Sequence, residues 1–424
     1  MNRYKLNNEF FGGIVYDRTK KKEIYVDKLM YNLMAIFNES LSLEEKQKAI
    51  KEITKYSKID IIDIFRILIE NKFIYTNIDY SFNEIVPYLS KPFRVFYDIT
   101  YKCNLKCKHC FTNSGLQHVD ELTLEEKLAM LEDFSSFGIN KISIAGGEPF
   151  ISEHLFPFLE KCLNLNIDVS ITTNGTLLTQ ENISKLNDYK VKNLTISFDG
   201  YDEKSFDFIR GNGVFNKVIK TIKLLNLYYK YKFSIKVTVM KSNFSKIEEF
   251  LKLSIFHNVK YIKFNTVRAD GRCLEYCDLI LKDNEYHEYL LKVEKLKKIY
   301  GKKVTIKSSL NPFSDEEYDY ISELGFGCFA GKESICINPL GEVKPCSHFP
   351  KAFICGNIKK DKIKDIWQNS NILKKFRTFK GNEKCKSCNI YDKCRAGCRY
   401  RAYILGDING VDPYCFKNAG GYQV

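Results

Sequence analysis

The chain has 424 residues, 44% of them hydrophobic, and a formal net charge of +14. That length exceeds one ordinary core and predicts two or three domains. The apolar content is enough to build them. The chain has no run of about 18 apolar residues, and its start, MNRYKLNNEF, has no apolar stretch behind the charges. Neither a membrane span nor a signal peptide is therefore expected, and the reading is a cytoplasmic protein. The lysines are scattered among Ile, Asn and Tyr with no compact basic block, which points to a solvated surface and away from nucleic-acid binding.

Residues 1–85 read as a unit of their own. GGIVYD and KEIYVD are short apolar-polar runs separated by the turn-like RTKKK, which predicts a hairpin. Three helical patterns follow. Leu29, Leu33, Ile36 and Phe37 share one face, LSLEEKQKAIKEITKYSK is charged and amphipathic, and Ile61, Ile64, Phe65, Leu68 and Ile69 line a third helix. Strands followed by three helices predict a winged-helix-like domain.

From PFRVFYDIT to about residue 272, strands alternate with helices. The candidate strands are RVFYDIT, KISIAGG, DVSITTNG, NLTISFDG, SIKVTVM and YIKFNTV, and Thr123 with Glu126 forms a capping-box signature at one intervening helix. Six such units imply an α/β fold with a parallel sheet. They form an open, partial (βα)6 barrel related to the eight-unit barrel of about 250 residues. Its chemistry belongs at the carboxyl ends of the strands. GGEP, TTNG and SFDG each follow one of those strands. The barrel is assigned to residues 92–300. Beyond it, in residues 301–424, cysteines become dense and long amphipathic helices disappear, so a small domain held by metal instead of a large apolar core is expected.

Fifteen cysteines in a cytoplasmic chain suggest metal binding, because that compartment keeps thiols reduced; the odd number also excludes complete pairing. In YKCNLKCKHC, which follows the first barrel strand, Cys103, Cys107 and Cys110 have CxxxCxxC spacing. Three thiolates on a four-iron cluster leave one iron without a protein ligand, where a substrate or cofactor can bind directly. The alternative is a zinc site short of one ligand. Cys385, Cys388, Cys394 and Cys398 follow a CxxCx5CxxxC pattern, with Cys415 further on. Taken alone, this second set fits a structural zinc knuckle equally well.

CxxxCxxC with His109 before the third cysteine, followed by GGEP, resembles the radical S-adenosylmethionine (SAM) superfamily. The later pattern resembles the SPASM extension of that superfamily: Cys328, Gly341, Cys346, CxxCx5CxxxC and Cys415, with GNIKKDKIKDIW between the halves. The resemblance covers residues 92–420 and implies three 4Fe-4S clusters. Cys103, Cys107 and Cys110 would hold the cluster whose open iron is chelated by SAM. Gly146, Gly147, Glu148 and Pro149 would bind the methionine amino group of SAM, the glycines permitting close backbone approach. Ser197 and Arg210 resemble positions that contact the ribose and the carboxylate. Asp199 and Asn174 are weaker cofactor candidates, and His109 would pack near the adenine. Cys385, Cys388, Cys394 and Cys415 would ligate one auxiliary cluster, and Cys328, Cys346 and Cys398 the other. Cys336 is the one nearby spare thiol, readable as a fourth ligand or as a buried apolar residue. Cys162, Cys273, Cys277 and Cys355 read as packing cysteines, with a place near the substrate as the alternative for Cys273 and Cys277, which flank the end of the barrel.

The N-terminal unit resembles the recognition element of peptide-modifying enzymes, related to the small chaperone of pyrroloquinoline quinone biosynthesis. There a leader peptide adds as a strand to a sheet edge; KEIYVD and the third helix are the candidate groove. The combined resemblance implies an oxidoreductase that matures a ribosomally made precursor peptide and draws electrons from a flavodoxin or ferredoxin. The expected product is an oxidative crosslink, first a sactipeptide-type thioether, then a carbon-carbon or carbon-oxygen bond. No catalytic base stands out. A sulfatase-type formylglycine maturase fits less well, because it carries an aspartate base where this chain has Ser347 and His348. Cofactor biosynthesis on a small precursor is the other alternative, and a cluster-binding DNA regulator would leave the SAM motifs without a use.

Overall fold

The computed structural model describes residues 88–308 apart from 117, residues 328–415 apart from 380, 389, 390 and 395, and, within the first 50 residues, three strands and a few helical positions. The chain divides into two compact units, residues 1–90 and 91–424.

In the first unit, β1 (Tyr4–Glu9), β2 (Gly12–Asp17) and β3 (Lys22–Asp27) form an antiparallel sheet in the order β1-β2-β3. The expected hairpin is β2 and β3, paired from Gly12↔Asp27 to Asp17↔Lys22. The strand β1 was not anticipated. YKLNNE is mostly polar, and only pairing with β2 makes a strand of it. The strand β3 lies at one edge of this sheet. The three helical patterns expected after it lie outside the described residues, apart from the helical Tyr31, Asn32, Ala35, Glu45 and Ala49.

The second unit is built on one ten-stranded sheet. Six strands match the expected ones: β4 (Arg94–Asp98), β5 (Lys141–Ala145), β6 (Asp168–Thr173), β7 (Asn193–Ser197), β8 (Phe233–Val239) and β9 (Tyr261–Thr266). Each is parallel to its neighbour. A seventh parallel strand, β10 (Thr305–Ser308), pairs with β9; its four half-polar residues carry too little periodicity to be read as a strand. Along β5 and β6 buried and half-buried positions alternate, so Ile142, Ile144, Val169 and Ile171 enter the core. Against the strands pack α1 (Leu124–Phe137), α2 (Leu155–Asn164), α3 (Gln180–Asp188), α4 (Glu203–Arg210), α5 (Val214–Tyr228), α6 (Ile247–Phe256) and α7 (Asp283–Tyr300). The expected capping box starts α1: Thr123 Oγ1 accepts from the Glu126 N–H, and the Glu126 carboxylate accepts from the Thr123 N–H. Among the described residues no helix is long and apolar enough to cross a membrane.

The C-terminal part continues this sheet. The strand β11 (Ser334–Ile337) pairs in parallel with β4, β12 (Glu342–Lys344) turns back beside it, and β13 (Gly356–Asn357) follows. Residues on both sides of the boundary expected near residue 300 thus share one sheet. A small apolar cluster accompanies the cysteines: Ala330, Phe349, Phe376, Cys398 and Tyr400 pack together, and Trp367 is fully buried. Short helices, among them α8 (Ile363–Asn369) and α9 (Asn371–Thr378), build that core without a long amphipathic pattern.

Because β11 is zipped to β4, the C-terminal part and the barrel should unfold together. Ile335 is fully buried and faces Val95 in this pairing. Ile335→Ala should cost about 2–5 kcal/mol. In denaturant titrations, the fluorescence of Trp367, the only tryptophan, and the circular dichroism of the helices should shift by the same amount. A shift in the tryptophan signal alone would mean that the two parts unfold separately.

Candidate active site

The three-cysteine loop leaves the carboxyl end of β4 and is held by backbone bonds from the loop after β5. Gly147 N–H donates to Thr100 O at 2.8 Å, and Glu148 N–H to Lys102 O at 2.9 Å. A Cβ on Gly146 would lie 2.5 Å from Thr100 O, and one on Gly147 would lie 2.2 Å from Lys102 O. Gly146 also has φ +122°, a region that favours glycine. The close approach that these glycines permit is thus to the cysteine loop itself. Pro149 follows as the first residue of a 3-10 turn, Pro149–Ile151.

Side chains complete the frame. The Glu148 carboxylate is fully buried and accepts from Thr173 Oγ1 at 2.6 Å, Asn174 N at 2.7 Å and Phe150 N at 3.2 Å. Burial raises its pKa, and these three bonds oppose the rise. It ties the ends of β5 and β6 together. Asn174 Nδ2 donates to Asn104 Oδ1 at 2.9 Å, so this residue also grips the cysteine loop. Glu121, which carried no motif, accepts from Thr100 Oγ1 and the Tyr101 N–H, both at 2.8 Å.

At the end of β7, Ser197 is half-buried, and two residues later Asp199 is buried. Arg210, the last residue of α4, donates to Asp199 Oδ2 through Nε at 2.7 Å and Nη2 at 2.5 Å. His109 Nε2 lies 3.1 Å from the same oxygen, and Asp199 Oδ1 accepts from the Thr238 N–H at 2.6 Å. Burial pushes the Asp199 carboxyl up, but Arg210, His109 and the Thr238 bond outweigh it and hold the carboxyl well below the usual range. Asp199 and Arg210, read from the sequence as separate cofactor contacts, are therefore first partners of each other. The remaining arginine nitrogen, Nη1, points at Cys107 Sγ, 3.8 Å away. His109 Nδ1 is buried and has no hydrogen-bond partner among the described residues.

These features suit a negatively charged, thiolate-held group. Burial, with the neighbouring Glu148, Cys107 and Cys110, pushes the Cys103 thiol up to about 11. Burial also raises Cys107, against the charge of Arg210. Thiols held this high lose their protons to a metal more readily than to water. The loop is also clamped from behind, which the sequence gave no sign of. Arg272 Nη1 donates to Cys107 O at 2.9 Å and Nη2 to Ser114 O at 2.8 Å, while a Cβ on Gly271 would lie 2.3 Å from Phe111 O.

The C-terminal cysteines gather in two groups. Cys394 is raised to about 12 by burial, then by Asp412, Cys415, Cys385 and Cys388. These are the four thiols that the SPASM resemblance implies for one cluster. In the other group, Cys328 is raised by burial and by the nearby Cys398 and Cys346. Cys336 and Cys346 influence each other strongly, Cys346 being lowered and Cys336 raised; His348 and Arg268 lower Cys346 further. Cys336, in β11, thus stands beside the group. Cys162 and Cys273 are buried as expected and Cys355 is half-buried, but Cys277 is exposed, contrary to the packing role expected of it.

Between the cysteine loop and this second group stands His348. Its Nδ1 is hydrogen-bonded to Asp270 Oδ2, and its ring lies 4.8 Å from Phe111 and 5.3 Å from Tyr400. At the end of β4, burial lifts the Asp98 carboxyl to about 6 against the charges of Lys344 and His348. Asp98 and Asp270 lie in no recognisable motif, so only the fold brings them forward.

Comparison with known proteins follows this geometry. Residues 97–254 match the radical SAM superfamily, and residues 328–389 match the SPASM iron-sulfur cluster-binding domain. The chain is 25% identical to the mycofactocin maturase MftC of Mycolicibacterium smegmatis, over 78% of this chain and 84% of that protein. It is 28% identical to the AdoMet-dependent heme synthase of Methanosarcina barkeri, over 78% of this chain and 97% of that one. Its fold resembles that of Streptococcus suis SuiB bound to the precursor peptide SuiA, with a TM-score of 0.74, 19% identity and 97% of both chains covered. With its three-thiol loop seated by a glycine pair at the end of β4 and these two matched domains, the chain is a radical SAM superfamily enzyme that carries a SPASM domain.

Proposed function

We propose that the protein matures a ribosomally made precursor peptide, cleaving SAM reductively and installing an oxidative crosslink. The observation that carries the peptide reading is β3, an edge strand in a three-stranded sheet ahead of the barrel. An edge of this kind can accept a leader peptide as an additional strand, with backbone bonds supplying affinity. SuiB, whose fold this chain resembles, was crystallised with its precursor peptide, and MftC is named a maturase.

In this reading Cys103, Cys107 and Cys110 hold the cluster that binds SAM. Cys385, Cys388, Cys394 and Cys415 hold one auxiliary cluster. Cys328, Cys346 and Cys398 hold the other, with one iron left without a protein ligand unless Cys336 supplies it. Held by these thiols, the cluster and SAM would supply the reducing and radical chemistry by which a hydrogen atom is taken from the peptide. The chain's own residues prepare for this. Asp199 fixes Arg210 so that a cation stays beside Cys107, and Glu148 locks the loop after β5 under the cysteine loop. Ser197, Asn174, His109 and the backbone of residues 146–149 border the space left for SAM. Electrons come from a flavodoxin or ferredoxin in the cytoplasm. A thioether from a peptide cysteine is the first product considered, because an auxiliary cluster with an open iron can bind a thiolate and can accept the electron released as the bond forms. A small cofactor precursor is the second reading, favoured by the likeness to the heme synthase.

Three measurements test this. Anaerobically reconstituted and reduced protein should form 5′-deoxyadenosine from SAM, and Cys103→Ala should abolish that product; a variant that still forms it would show the cluster misassigned. A proline placed at Ile24 or at the adjacent Tyr25 removes one N–H from β3. One of the two should weaken leader binding, while SAM cleavage without peptide is unaffected. Mass spectrometry of a co-expressed precursor should find loss of two hydrogens with one cysteine thiol no longer alkylatable. Loss of two hydrogens with every thiol free would exclude the thioether and favour a carbon-carbon or carbon-oxygen bond.

A further inference from the structure

The C-terminal part buries more positive than negative charge. Among its described residues, Lys332, Arg377, Arg399 and Arg401 are buried, and Asp412 is the one buried carboxylate. Asp412 Oδ2 accepts from Arg401 Nη2 at 2.6 Å and from the Cys398 N–H at 2.6 Å. A further guanidinium reaches the same region from the barrel. Arg268 Nε and Nη1 are sealed from solvent without a hydrogen-bond partner among the described residues, as is Arg401 Nη1. Buried cations require an anion nearby, because burying one without compensation is costly.

The geometry around Arg268 indicates where that anion belongs. The segment after β9 is stitched to both cysteine segments of the nearer group. Tyr400, two residues beyond Cys398, donates through its hydroxyl to Ala269 O at 3.1 Å. His348, two residues beyond Cys346, is bonded to the Asp270 carboxylate. Arg268 is thus bracketed by Cys346 and Cys398, and their thiolates are the anions that favour its charge. The charge of Arg401 is favoured by Cys398 as well as by Tyr286 and Asp412.

We propose that Arg268, backed by Arg401, is the positioning cation of the iron-sulfur cluster held by Cys328, Cys346 and Cys398, and that it raises the reduction potential of that cluster alone. The proposal rests on the reading that these thiols hold an auxiliary cluster. Uptake of one electron makes such a cluster one unit more negative. A guanidinium with two nitrogens shut off from solvent stabilises the reduced form more than the oxidised one, and those unpartnered N–H groups are free to bond to the sulfurs. A cluster poised in this way suits an acceptor for the single electron released when a carbon radical on the substrate closes its new bond.

The test is a redox titration of the fully reconstituted enzyme, followed by electron paramagnetic resonance, with Arg268→Gln and Arg268→Lys beside the wild type. Arg268→Gln should shift the one-electron equilibrium of one auxiliary cluster toward the oxidised form by about tenfold, about 59 mV, and leave the other two clusters unchanged. Arg268→Lys, which keeps the charge, should retain most of the wild-type potential. Unchanged potentials in Arg268→Gln with full iron content overturn the proposal. So does an equal fall in both variants, because packing and not charge would then set the potential. If Arg268→Gln assembles one cluster fewer, Arg268→Lys decides: a normal iron content supports the need for a cation there, and the same loss overturns it. A wild-type enzyme with no auxiliary cluster signal overturns both this proposal and the cluster assignment beneath it.

Discussion

The contact on which the site depends is between two stretches of backbone, the loop after β4 and the loop after β5. Two N–H to O bonds from Gly147 and Glu148 fix Thr100 and Lys102, and the absence of side chains at Gly146 and Gly147 lets the strands' loops meet at that distance. The other restraints act on a loop already seated in this way. Glu148 locks the β5 side to β6, Asn174 and Glu121 hold the loop from two sides, and Arg272 closes it from behind. A thiol loop that must present three sulfurs to one cluster gains its rigidity from these neighbours, because it has no regular secondary structure of its own.

The same electrostatic arrangement occurs twice. Near the cysteine loop, a buried arginine is held by one carboxylate, Asp199, and turns a remaining nitrogen toward Cys107. In the C-terminal part, Arg401 is held by Asp412, whose carboxylate also takes the backbone N–H of Cys398. In each place the carboxylate offsets the buried guanidinium and keeps it from wandering. Near the cysteine loop one nitrogen remains turned toward sulfur, while the Arg401 guanidinium lies over the rings of Tyr286 and Tyr414.

The C-terminal part is continuous with the barrel through β4 and β11. This explains why the segment 268–272 can touch the cysteine loop on one side, through Gly271 and Arg272, and the second thiol group's segments on the other, through Ala269 and Asp270. His348, Phe111 and Tyr400 stack across that junction. Few of these residues carry a local signature. A lone Asp270 or Arg268 after a strand looks like any polar loop residue, and the polar β1 and the four-residue β10 lack the periodicity that marks a strand. The loop cysteines, GGEP and the capping box were legible because their spacing alone implies a geometry.

The sequence alone determined the class of chemistry, since three thiols at CxxxCxxC, a glycine pair and seven further cysteines in register are covalent facts that folding does not alter. It also determined the alternation of strands and helices, because a side-chain period of two or of 3.6 is a property of the chain itself. Tertiary structure decided which charged groups are paired with one another and which are left for a ligand. Asp199 and Arg210 look like two independent contacts in the sequence and are one ion pair in the fold. Arg268 looks like a surface residue, yet two of its nitrogens are sealed from solvent beside segments that carry cysteines more than seventy positions away. Pairing and desolvation depend on distances through space, and those distances exist only once the sheet has closed.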